Sequence, residues 1–114
     1  MPVVNLLQRQ IERRAELLCH SRNKSLPVDL GKSFYEPLEN GVQFIKNFYK
    51  IDSSHLEYSS PVAKIEWSEQ DNMWALFIAD EESRWLPYPY LQRSADLTAL
   101  MREVEKDPKS YIWG

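Results

Sequence analysis

The sequence predicts an α+β domain: an N-terminal helix, an antiparallel sheet of about five strands in meander order, and a C-terminal helix with a docked aromatic tail. Three observations carry this expectation. Apolar stripes at helical spacing lie near both ends of the chain, Val4, Leu7, Ile11, Ala15 and Leu18 first, then Leu97, Leu100, Met101 and Val104. Between them, strand-like segments alternate with turn signals at Asn40-Gly41, Glu69-Gln70-Asp71-Asn72 and Asp80-Glu81-Glu82-Ser83. Connections this short join antiparallel neighbours, because parallel strands need a crossover of a dozen or more residues.

The first helix is expected over residues 2–22. Pro2 fits its first turn, where a missing N–H costs little, and Asn23 and Pro27 end it. Residues 24–33 read as a loop. Strands 33–39 and 42–51 then flank Asn40-Gly41, a hairpin signal when the turn needs positive φ. Pro37 places the first of these strands at an edge. The second carries Val42, Phe44, Lys46, Phe48 and Lys50 on one face.

Residues 52–60 are Ser-rich and read as a polar connection. A strand over 62–68 follows, with Ala63, Ile65 and Trp67 on one face. Residues 73–79, Met-Trp-Ala-Leu-Phe-Ile-Ala, form a continuous apolar run that suits a central strand covered on both faces. Residues 84–91 read as a last strand, set at an edge by Pro87 and Pro89. Ser94 is the expected cap of the second helix, with Asp96 in its first turn. Pro108 stops that helix. Three large residues follow, Tyr111, Ile112 and Trp113, and are costly to leave in water, so Ile112 and Trp113 are expected to fold back onto the domain.

The 114 residues suit one domain, and 43% hydrophobic against 27% charged residues is a globular balance. The net charge of −3 argues against a general nucleic-acid binder. It is unevenly spread: residues 1–24 carry five basic residues against two acidic ones, and the rest carry nine against fifteen. Cys19 is the sole cysteine, which rules out an intrachain disulfide and suits a reducing cytosol. Asn5, Gln8 and Arg9 break the first apolar stretch, so no signal peptide is read there. No stretch approaches the ~20 apolar residues of a membrane span. A cytoplasmic, soluble protein without membrane partners is expected.

No catalytic, metal or cofactor site emerges. Cys19 and His20 are helix neighbours about 100° apart and do not face each other, and His55 lies far away in the chain. One Cys and two His without ligand spacing are no metal motif. Gly31, Gly41 and Gly114 are too scattered for a phosphate loop. Glu66, Glu69, Asp71, Asp80, Glu81 and Glu82 mostly occupy turns and read as solvated.

Two surfaces are candidates. Tryptophans at 67, 74, 85 and 113 are more than a small core requires, Trp and Tyr suit interfaces, and Phe44, Phe48, Trp67, Trp74, Trp85, Tyr88 and Tyr90 are the candidate interaction surface. They point to a non-enzymatic interaction module that binds itself or another protein through an exposed sheet face or edge. Arg9, Arg13, Arg14, Lys46 and Lys50 are candidate phosphate contacts, which is the nucleic-acid alternative. A third reading is a ligand-binding domain or enzyme with an aromatic pocket of Tyr49, Tyr58, Trp85, Tyr88 and Tyr90.

The C-terminal half carries an ordered set of motifs: Pro61-Val-Ala-Lys-Ile-Glu-Trp67, Trp74-Ala-Leu-Phe77, Arg84-Trp85, Tyr88, Ala95-Asp96-Leu97, Val104-Glu105-Lys106-Asp107-Pro108 and Ile112-Trp113-Gly114. In this order and with this ending, residues 61–114 resemble the bacterial domain-of-unknown-function family numbered 3024. Tyr88-Pro89-Tyr90 is more aromatic than the family pattern at that point. The resemblance implies successive strands, a helix opening at Ala95-Asp96-Leu97 and a tail belonging to the domain. It implies no reaction.

Overall fold

A computed structural model describes residues 5–24, 32–49 and 56–113. Its elements are α1 (Asn5–Asn23), β1 (Lys32–Leu38), β2 (Gly41–Tyr49), β3 (Leu56–Ser68), β4 (Met73–Ala79), β5 (Trp85–Pro87), β6 (Arg93–Ser94) and α2 (Leu97–Lys106). Pro2, Val4, Pro27, Lys50, Ile51 and His55 lie outside the described residues, as do the side chains of Tyr49 and Tyr58. The sheet is antiparallel in the order β1-β2-β3-β4-β5, and β6 also pairs with β4. The meander follows from the short connections, and both helices pack on one face. Ile11, Ala15 and Leu18 of α1 and Leu100, Met101 and Val104 of α2 close over Val42, Phe44, Ile65, Trp74 and Leu76.

The hairpin turn sits one residue earlier than its sequence signal. Leu38 pairs with Gly41, so Glu39 and Asn40 are the turn residues. Neither has positive φ, so the turn is not of the I′ type. Gly41 is required for a different reason: a Cβ there would lie 1.9 Å from the Ile65 carbonyl oxygen of β3. From α1, Gln8 Nε2 donates to the Leu38 and Gly41 carbonyls at 3.2 and 3.0 Å, which fixes the helix over the turn.

β3 starts at Leu56, inside the stretch read as a connection. Residues 56–60 pair with β2, and a register shift at Val62 lets Ala63 face Phe44 while Pro61 faces Ile45. A proline fits at such a bulge, where the ladder is already interrupted. Ladder pairing draws these serines into a strand that their own propensity disfavours.

β4 is internal, with β3 on one side and β5 and β6 on the other. It is not covered on both faces. Trp74 and Leu76 are buried under the helices, whereas Met73 is exposed and Ala75 and Phe77 are half-buried. The final strand is also two short pieces instead of one. The Leu76 carbonyl accepts from Tyr88 N–H, and Leu76 N–H donates to the Gln92 carbonyl, both at 2.9 Å, so Pro89, Tyr90 and Leu91 loop away from the β4 edge.

Asp96, not Ser94, caps α2: its carboxylate accepts from Thr98 N–H at 3.0 Å, and Ser94 Oγ accepts from Asp96 N–H at 2.9 Å. Asp107 ends the helix in the left-handed region (φ 44°), and its N–H donates to the Glu103 carbonyl. Its carboxylate then accepts from the N–H groups of Ile112 and Trp113 at 3.1 and 2.8 Å. The tail thus folds back as expected, and Ile112 and Trp113 join the core.

Candidate functional site

The core claims several of the candidate aromatics. Phe44, Trp74 and Tyr88 are buried, Phe48, Trp67 and Trp85 are half-buried, and only Tyr90 among the seven is exposed. Tyr88 continues the inward alternation that puts Trp74 and Leu76 beneath the helices. Its hydroxyl donates to Glu103 Oε2 at 3.1 Å. Burial first, and this carboxylate second, push its phenol up to about 12. Trp67 and Trp74 form an edge-to-face pair, centroids 5.0 Å apart. Tyr90 stacks on Tyr111 at 5.7 Å, and the two rings are 53% and 50% exposed. Tyr88 touches this pair edge-on through Tyr90, so these three rings form a ridge rooted in the core, while the side chains of the pocket candidates Tyr49 and Tyr58 lie outside the described residues.

The basic candidates separate into two groups. Lys46 belongs to the tail's anchorage: its Nζ donates to the Trp113 carbonyl at 2.7 Å and lies 4.8 Å from the Phe48 centroid. Arg22, counted in the sequence only as charge, stands 4.5 Å over the Trp113 ring and donates to Ser33 Oγ and the Glu105 carbonyl. Arg9, Arg13 and Arg14 remain exposed on α1. Arg13 and Arg14 meet α2 across an open trough, where Arg14 Nη1 donates to Thr98 Oγ1. Lys50 lies outside the described residues.

Cys19 is buried, and burial pushes its thiol up to about 12 despite the opposing charge of Arg22, so it is protonated at neutral pH. Among the described residues no three His, Cys, Asp or Glu side chains group so as to hold a metal ion. Nor is any described helix long and apolar enough to cross a membrane.

The face of the sheet away from the helices has a different character. Phe34 pairs with Ile45, and Ile45 with Pro61, so three strands lay one apolar row across it. The next row runs Glu36, Gln43, Lys64, Phe77 and Pro87. Lys64 Nζ lies 5.2 Å from the Phe77 centroid, 5.0 Å from that of Trp85 and 3.3 Å from Glu66 Oε1. Its stem and charge lie across rings that would otherwise meet water. Phe34 is 39% exposed while Ile45 beside it is buried at 8%, and among the described residues both helices pack on the opposite face. Sequence alternation pointed to an uncovered face, but not to which aromatics it would hold.

No curated protein and no solved structure gives a match. The family model DUF3024, described as a domain of unknown function, matches residues 3–114. It therefore reaches well beyond residues 61–114, where the motifs were recognised, and takes in α1 and the first hairpin. The chain belongs to the DUF3024 family over both helices and the whole sheet.

Proposed function

We propose that this protein is a non-enzymatic interaction module that self-associates through the helix-free face of its sheet. The supporting observation is the apolar row Phe34-Ile45-Pro61 beside Phe77 and Trp85, on the face opposite both described helices. An antiparallel sheet can leave one face in water, but that face is then ordinarily polar at alternate positions. Here polar residues such as Glu36, Gln43, Lys64 and Glu66 share the face with one apolar row and the Phe77 and Trp85 rings, and an apolar strip of this kind suits a partner. A second copy fits because a two-fold dimer needs only one self-complementary patch. Lys64 and Glu66 on the same face supply charges of both signs for exchange across the axis.

Light scattering with sedimentation equilibrium tests this. A dimer is expected at micromolar concentration, and Phe34→Glu combined with Phe77→Glu should yield a folded monomer. A wild-type chain that stays monomeric would overturn the reading. So would a dimer indifferent to both substitutions.

A further inference from the structure

On the opposite side of the molecule, we infer that the trough between α1 and α2 docks an acidic, amphipathic peptide segment of a partner protein. Two adjoining hollows of about 510 and 420 Å³ meet at Arg14, Leu17 and Thr98, where the Arg14–Thr98 hydrogen bond crosses from α1 to α2. The floor of the trough is apolar: Leu18 and Met101 come from the core edge, and Leu17 is 56% exposed. Its walls carry four cations, Arg13 and Arg14 from α1 and Arg102 and Lys106 from α2. Among the described residues none of the four takes part in an ion pair.

The two acids beside the groove already have partners. The Asp96 carboxylate caps α2, and Glu105 Oε2 accepts from Ser21 Oγ. An apolar floor between cations that have no carboxylate partner among the described residues is complementary to a segment with apolar side chains on one face and carboxylates at its margins. The shallow, elongated form suits a helix or extended peptide better than a small molecule. A nucleic-acid backbone fits less well, because it offers nothing to cover Leu17 and would meet Asp96 and Glu105 as well as a net charge of −3. The groove lies on the helix side of the sheet, so it is independent of the self-association surface.

Selection of a random-peptide display library on the immobilised full chain tests the inference, followed by fluorescence anisotropy with the enriched peptides. The expected winners are rich in Asp and Glu and contain leucine or an aromatic residue. Their affinity should fall roughly tenfold or more for Leu17→Glu and for Arg13→Glu with Arg102→Glu, and should weaken with salt. These side chains are exposed or at the groove margin, and thermal melts should show both variants folded. No enrichment, winners without acidic bias, or unchanged affinity for the variants would each overturn the inference. Tighter binding of a duplex of about 20 base pairs, lost in the double-charge variant, would replace it with nucleic acid.

Discussion

Asp107 does two jobs at one position. Its backbone closes α2 in a left-handed conformation that costs a non-glycine residue about 1–2 kcal/mol. Its carboxylate offsets this by accepting two backbone N–H groups of the tail. Hydrogen bonds to a charged acceptor contribute about 1.5–3 kcal/mol, so Asp107→Ala is expected to destabilise by roughly 2–4 kcal/mol. Asp107→Asn should lose less, because an amide keeps one acceptor and asparagine tolerates the left-handed region. Urea midpoints at a constant m-value check the ranking. Cys19 and Tyr88 contribute to the alkaline behaviour. Both groups bind their protons more tightly in the folded chain, since burial raises them from 9.0 and 10.0 to about 12. The stabilisation is complete below those ordinary values. It is lost as pH climbs from 9 toward 12, because the unfolded chain ionises first. Cys19→Ala should therefore delay the alkaline fall in stability, and Tyr88→Phe should make it shallower above pH 10. Melting curves across pH 8–11 would show otherwise if the three proteins fell in parallel.

The tail is the element whose role was most legible in advance and whose fastening was least so. Three large residues after a helix stop signal burial on transfer energy alone. Nothing in the sequence announces that Arg22 and Lys46, 91 and 67 residues before Trp113, hold its ring and its carbonyl respectively. Charge patterning assigns such cations to solvent or phosphate, and only the fold shows where they end. Trp113 also donates its indole N–H to the Val104 carbonyl at 2.8 Å and meets Phe44 edge-on at 6.1 Å. Deleting residues 111–114 removes two buried side chains worth about 1.5–3 kcal/mol each. That is a large share of a typical 5–15 kcal/mol, so a steep loss of melting temperature is expected. An unchanged melt accompanied by loss of a binding partner would instead make the tail a presented motif. The hairpin carries a different lesson. Asn-Gly marked a turn, but the glycine serves a close backbone approach and not positive φ. Gly41→Ala should accordingly destabilise through a clash with Ile65, even though alanine suits the backbone angle.

At the scale of the molecule, one apolar cluster joins α1, four strands, α2 and the tail, so most of the chain is expected to unfold together. The β2–β3 ribbon is the exception. β3 has 13 residues, about 43 Å at 3.3 Å each, close to the 47 Å long axis of the molecule. β4 pairs with β3 only over residues 63–68, so among the described residues β2 is the one strand that pairs with residues 56–61. A two-stranded ribbon is marginal in water by itself. Here β1 supports its root, where Ser33 pairs with Lys46, and the Lys46–Trp113 hydrogen bond ties that root to the tail. Asn23 closes the free edge of β1 at the same level: its side-chain amide accepts from Ser33 N–H at 2.7 Å and donates to the Ser33 carbonyl at 2.8 Å. Protection is therefore expected to decline outward along the ribbon. Native-state hydrogen exchange should show slow, globally opening amides at residues 63–67 and 74–77, with faster, locally opening ones at 47–49 and 56–60. Lys46→Met should widen this gap by releasing the root while leaving the β3–β4 amides unchanged. Uniform protection along all thirteen residues of β3 would mean that the ribbon is held by something beyond the contacts described.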